Sequence, residues 1–74
     1  MKFSTTEELG ELIKKVRKSQ KLTQADLAAA CGCGVRFIVN LEKGKPTCEI
    51  EKVLNVIAML GIKLEAHTVE DIDG

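Results

Sequence analysis

Tryptophan and tyrosine are absent from this chain of 74 residues, phenylalanine occurs twice, and proline and histidine once each. Without large aromatic rings, a core has to be assembled from Leu, Ile, Val, Ala and Met. The length supports one small domain, and for so slight a core association with a second copy is a common remedy. No apolar run approaches the length that spans a bilayer, so no membrane partner is expected. The opening Met1-Lys2-Phe3-Ser4-Thr5-Thr6-Glu7 turns polar at once and carries no signal peptide, which points to the cytoplasm. Repeats, linkers and low-complexity tracts are missing as well. The one histidine, His67, and the lack of a phosphate-cradling glycine loop leave an enzyme without machinery, so neither catalytic residues nor a cofactor are expected. The three cysteines, Cys31, Cys33 and Cys48, are an odd number and suit free thiols in a reducing compartment. A zinc site built from them and His67 matches no structural zinc spacing, and no metal is expected. Cys31 and Cys33 instead stand where small apolar residues are wanted, a role free cysteine fills.

Formal net charge is zero, which at first argues against a polyanionic partner. The charge is not evenly spread. Residues 1–46 hold nine basic and five acidic side chains, a net of +4, and residues 47–74 hold two and six, a net of −4. A basic front and an acidic back suit a molecule that sets one face on phosphate and turns the other elsewhere. Chance segregation in a short chain is the bland reading.

Ser4 with Glu7, and Thr5 with Glu8, form two overlapping capping-box patterns that start a first helix. Leu9, Leu12, Ile13 and Val16 recur along it at helical spacing, Lys14, Lys15 and Lys18 take the remaining surface, and the helix ends near Ser19 or Gln20. Thr23 is placed to cap a second helix, Gln24 to Cys31, with Asp26 favourable to its positive end. A third helix begins at Gly34 and runs to about Lys43, where Gly44 suits a left-handed cap. Beyond Pro46, Thr47 is placed to cap a fourth helix that carries Ile50, Val53, Leu54, Ile57 and Leu60 on one stripe and ends at Gly61. Val56 and Met59 widen its apolar surface toward an interface. In residues 62–68 apolar and polar side chains then alternate, the pattern of a half-buried strand. A lone strand cannot satisfy its own backbone, so Ile62, Leu64 and Ala66 are expected to pair with a second copy across a two-fold axis. The domain is therefore placed at residues 1–68, followed by a short acidic tail at 69–74.

The second and third helices have the spacing of a helix-turn-helix. Ala28 is small where the two helices cross. Gly32 allows a left-handed turn, and Ile38 and Leu41 face inward. Such a motif sets its second helix in the DNA major groove.

Leu22-Thr23-Gln24, Ala28, Gly32, Ile38 and Leu41-Glu42-Lys43-Gly44-Lys45-Pro46 together resemble the lambda-repressor-like (XRE, Cro/C1-type) DNA-binding family, over roughly residues 9–60. Gly34-Val35-Arg36-Phe37-Ile38, Lys45-Pro46-Thr47 and Leu60-Gly61-Ile62-Lys63-Leu64 look like HipB-type antitoxins over nearly the whole chain. The first resemblance implies an all-α, four-helix domain, here with a short C-terminal strand that pairs across a dimer. The second implies a small homodimeric repressor of an inverted-repeat operator in double-stranded DNA. Such a repressor neutralises a HipA-type serine/threonine kinase toxin and represses its own operon together with it. Three positions depart from the pattern: Gly34 replaces a usual Ser or Thr, Cys33 a larger aliphatic, and Val39 a polar residue. They bear on which operator is read.

The resemblance assigns base readout to Val35, Arg36, Val39 and Asn40. Arg36 suits guanine O6 and N7, Asn40 adenine N6 and N7, and Val35 a thymine methyl. A phosphate contact is the other reading of Arg36. Gln24 would hold phosphate or support a recognition side chain, and Lys43 and Lys45, just past the third helix, would meet phosphate. Arg17 and Glu42 match a family ion pair that ties the first helix to the third. Two functions compete. One is a dimeric transcriptional repressor, either an antitoxin with a kinase partner or a plain repressor without one. The other is a protein-interaction module on the same scaffold. Neutral charge and Val39 favour the module, the complete motif and basic front the repressor.

Overall fold

The computed structural model describes residues 2–69 and contains four helices: α1 (Thr6–Ser19), α2 (Gln24–Cys31), α3 (Val35–Glu42) and α4 (Ile50–Met59). α1 starts at Thr5, whose hydroxyl oxygen accepts from the Glu8 N–H at 3.1 Å. The Glu8 carboxylate turns back to accept from the Ser4 N–H at 3.1 Å and the Ser4 hydroxyl at 3.0 Å. Of the two overlapping caps, the Thr5–Glu8 pair thus opens the helix, and Ser4 joins it rather than pairing with Glu7. Thr23 and Asp26 cap α2 reciprocally, at 3.0 and 2.9 Å. α4 departs from expectation. Its N-cap is Glu49, not Thr47, and no side chain closes it. The cause lies upstream, where Pro46 and Thr47 form a turn and Cys48 packs against the core, leaving Thr47 outside reach of the helix start.

All four helices end alike. Leu22, Cys33, Lys45 and Ile62 donate their N–H to Arg17, Ala28, Asn40 and Ile57 oxygens at 3.0–3.2 Å. The residue just before each is left-handed: Lys21, Gly32, Gly44 and Gly61, with φ of 59°, 68°, 85° and 77°. This is the Schellman closure, which satisfies the last helical carbonyls and turns the next residue inward. Leu22, Cys33 and Ile62 accordingly pack on the core.

The core draws one fully enclosed side chain from each helix: Ile13, Leu27, Ile38 and Val56. On α4 the buried face is Val53, Val56, Ile57 and Leu60, while Ile50 and Leu54 are 69% and 48% exposed. The expected stripe is therefore rotated. Val56 belongs to the core and not to a widened margin, because only the Val53-centred face meets α2 and the other helices. Among the described residues there is no strand. Residues 63–68 run on as exposed, irregular chain beyond Ile62, which alone in this stretch packs on the core. A strand is defined by a ladder to a neighbour, and the described residues form no such ladder here. Of the tail placed at 69–74, Val69 is exposed, and residues 70–74 lie outside the described part.

Candidate nucleic-acid interface

α3 is fixed by one side and presents the other. Ile38, Leu41 and Glu42 are buried, with Ile38 fully enclosed. Its placement against α1 depends on Gly10. A Cβ there would come within 2.6 Å of the Leu41 and Glu42 carbonyl oxygens, so the two helices touch backbone to backbone. The sequence reading passed over Gly10. The available signal was a lone glycine inside a helical pattern, which costs about 1 kcal/mol against alanine and calls for a packing reason.

Next to this contact lies a buried polar knot. Arg17 Nε donates to Glu42 Oε2 at 2.6 Å, and Nη2 to Oε1 at 3.0 Å. Arg17 Nη1 donates to the Leu22 carbonyl at 2.7 Å, and Gln24 Nε2 to Glu42 Oε1 at 3.1 Å. The Arg17 and Glu42 side chains are 8% and 3% exposed. The hydrogen bonds to Glu42 push the Arg17 guanidinium further up from an already high value, so it stays charged. Three elements meet here: α1 through Arg17, the start of α2 through Gln24, and the end of α3 through Glu42. The half-buried Gln24 thus supports Glu42. Its amide nitrogen is engaged inside the protein, and the tie to Glu42 had no counterpart in the sequence reading.

The outward face of α3 carries Val35 and Arg36, both exposed, with Val39 and Asn40 half-buried along its flank. Lys43 and Lys45 follow, both exposed. Positions 35, 36, 39, 40 and 43 lie on one side of a helix, so these groups point into a common space. The start of α3 at Gly34 has no side-chain cap. Phe37 is half-buried and packs on the core, with Lys52 Nζ 5.9 Å from its ring centroid. Ile62, Leu64 and Ala66 are not part of this face. Ile62 packs on the core below α4, Leu64 is 44% exposed and Ala66 is exposed. His67 is exposed beside Glu65 at 3.3 Å. Among the described residues no group of His, Cys, Asp and Glu could hold a metal ion, and no helix is long and apolar enough to cross a membrane.

Known proteins share this arrangement. The helix-turn-helix family HTH_3 matches residues 13–66. An uncharacterised HTH-type transcriptional regulator, y4mF, of Sinorhizobium fredii is 47% identical over 64 residues, covering 86% of this chain and 84% of that protein. A chain of a HipA–HipB–O2–O3 complex superposes with a TM-score of 0.84 at 20% identity, over 95% of this chain and 99% of that one. The restriction-modification controller protein C.AhdI from Aeromonas hydrophila gives 0.71 at 21% identity, over 78% and 88%. At those identities the two structures speak for the fold, an all-helical helix-turn-helix. Family match, relative and fold agree: this chain belongs to the XRE-type helix-turn-helix family.

Proposed function

We propose that this protein is a dimeric, sequence-specific DNA-binding repressor, and that it serves as the antitoxin of a kinase-type toxin in the cytoplasm. One observation carries the DNA reading. α3 is locked from behind by Gly10 and the Arg17–Glu42–Gln24 knot, while Val35 and Arg36 stand clear in front with Lys43 and Lys45 at the far end. A rigid helix with free polar and apolar tips is what base readout needs, and cations at its margin suit phosphate. In this reading Val35, Arg36, Val39 and Asn40 meet base edges, and Lys43 and Lys45 meet phosphate. Gln24 approaches phosphate from the start of α2 while bracing Glu42. Ile62, Leu64 and Ala66 pair with their copies across the two-fold. The S. fredii relative supports regulation. The fold shared with chains from HipA–HipB–O2–O3 and HipB–O4 20mer complexes supports an antitoxin role beside a HipA-like kinase. The acidic half, residues 47–74, is the part that DNA would repel and a second protein could use.

Selection of duplexes from a random library tests the core claim. An inverted repeat with half-site centres about 34 Å apart, or a multiple of that, is expected. If no duplex is enriched at low salt, the interaction-module reading takes its place. Co-purification of the chain with the product of an adjacent kinase-like gene, with and without the selected duplex, tests the antitoxin role. Absence of a partner reduces the protein to a plain repressor.

A further inference from the structure

The turn of the helix-turn-helix holds a pair of thiols that the DNA reading leaves unused. Cys31 is the last residue of α2, Cys33 begins the link to α3, and Gly32 between them is left-handed at φ 68°, ψ 31°. A left-handed residue sets its neighbouring Cα atoms as far apart as a right-handed one does, about 5.4 Å by helix geometry. That lies inside the roughly 4.4–6.8 Å a disulfide bridges. Both side chains are half-buried, so they stay reachable from solvent, and each packs against the apolar core. Cys48 is also half-buried, but it packs in the segment between α3 and α4.

We propose that Cys31 and Cys33 are a redox-active dithiol, closed by disulfide-class oxidants into an intramolecular bond that loosens α3. The oxidant is a low-molecular-weight disulfide. The Cys33 thiolate attacks one of its sulfurs, the S–S bond breaks, and one thiolate leaves and takes up a proton. The Cys31 thiolate then attacks the Cys33 sulfur of the mixed disulfide and expels the second thiolate, which is protonated in turn. The dithiol loses two electrons and two protons, and the oxidant is reduced to two thiols. Burial, and then the charge of a neighbouring Cys33 thiolate, push the Cys31 thiol up, so its attack is the slower of the two and is favoured at higher pH. Closure draws both sulfurs off the core. It strains a turn held by Gly32 N–H to Ala29 O at 3.3 Å and Cys33 N–H to Ala28 O at 3.0 Å. Gly34, the uncapped start of α3, follows at once, and Val35 and Arg36 come directly after it. The consequence for DNA rests on the repressor reading, whereas closure and loosening do not.

The reduced full-length chain is incubated with glutathione disulfide, digested with trypsin and weighed. Trypsin leaves Cys31 and Cys33 together on residues 22–36 and Cys48 on another peptide. Loss of two hydrogens from peptide 22–36 is expected, reversed by dithiothreitol and retained in Cys48→Ser. Amide exchange in α3 is expected to speed up at least tenfold on oxidation. In Cys31→Ala and Cys33→Ala neither change is expected; should one variant fail to fold, the other carries the same test. A peptide 22–36 that stays reduced or gains only glutathione overturns the proposal. So does a closed disulfide with α3 exchange unchanged, or faster exchange in the single-alanine variants. Retention on the selected duplex is expected to fall at least tenfold on oxidation. If the reduced protein retains no duplex, the repressor reading fails, and the peptide and exchange measurements still decide on the dithiol.

Discussion

At the scale of single residues, the exposed and the buried ends of the site make different demands. Arg36 is exposed and has no hydrogen bond or ion pair among the described residues, so its removal is expected to leave the fold intact. Arg36→Ala is expected to cost about 1–3 kcal/mol of binding and to relax preference at one base pair. A loss equal on every sequence would identify a phosphate contact. Lys45→Ala is expected to weaken all duplexes alike and to lower the salt dependence of binding by about one unit of slope. Arg17 and Glu42 act on stability. Removing one partner strands the other in a buried place, at a cost of about 3–5 kcal/mol. Arg17→Met and Glu42→Gln in a double-mutant cycle are expected to couple by about 1–3 kcal/mol in urea unfolding, and additive effects would contradict the geometry. Gly10→Ala pushes a methyl onto two carbonyl oxygens that belong to the backbone and cannot swing away. An expected loss of about 1–3 kcal/mol follows from such overpacking, although alanine is the better helix former. What Gly10 packs against and the Gln24–Glu42 bond were both illegible beforehand for one reason. Each is a contact between elements, and spacing along a single helix carries no record of what lies across from it.

At the scale of elements, local chemistry was the readable part. Four helices were expected and the described residues hold four, and α2 runs from Gln24 to Cys31 as its Thr23 cap and Gly32 turn require. Where the cap pattern was ambiguous it misled. Thr47 has the right chemistry for an N-cap, but the turn at Pro46 sets it too early, and the uncapped Glu49 takes its place. The α4 stripe was misread because Ile50, Leu54 and Val56 are equally apolar, and only the neighbouring helices decide which are covered. Lys21 is the one Schellman residue that is not glycine. A side chain in that conformation is strained, so Lys21→Gly is expected to stabilise the protein by about 0.5–1 kcal/mol in thermal or urea unfolding, less whatever freedom the unfolded chain gains. The cap of α2 sets a pH dependence. The Thr23 backbone N–H and hydroxyl hold Asp26 below the ordinary carboxylate range. Its stabilising contribution is therefore complete above the ordinary aspartate value near about 4. It is lost as pH falls through the lower, folded value. An acid titration of helicity is expected to show early fraying of α2 below that range, and Asp26→Asn is expected to remove that component.

At the scale of the whole molecule, exposed apolar side chains other than Val35 of α3 gather on another side. Ile50, Leu54, Met59 and Leu64 are exposed apolar side chains on α4 and the segment after it. In the proposed dimer they are the surface a second copy covers. Light scattering of the full chain is expected to give a dimer mass. Deleting residues 62–74 is expected to lower that mass, and a monomer unaffected by the deletion would remove the pairing from the proposal. The alternation in 62–68 was legible in the sequence, but the described residues show irregular chain there, because alternation records which side chains are apolar and not whether a partner backbone is present to pair with. The two-sidedness of α3 bears on how such proteins diverge. The residues that seat the helix, Ile38, Leu41 and Glu42, are separate from those that face outward, Val35 and Arg36. Positions 35 and 36 can therefore vary without repacking the core. If these positions read bases as proposed, selection can explore new operator sequences there one substitution at a time, each intermediate still folded, and a regulator can drift away from cross-talk with its duplicates while keeping its architecture.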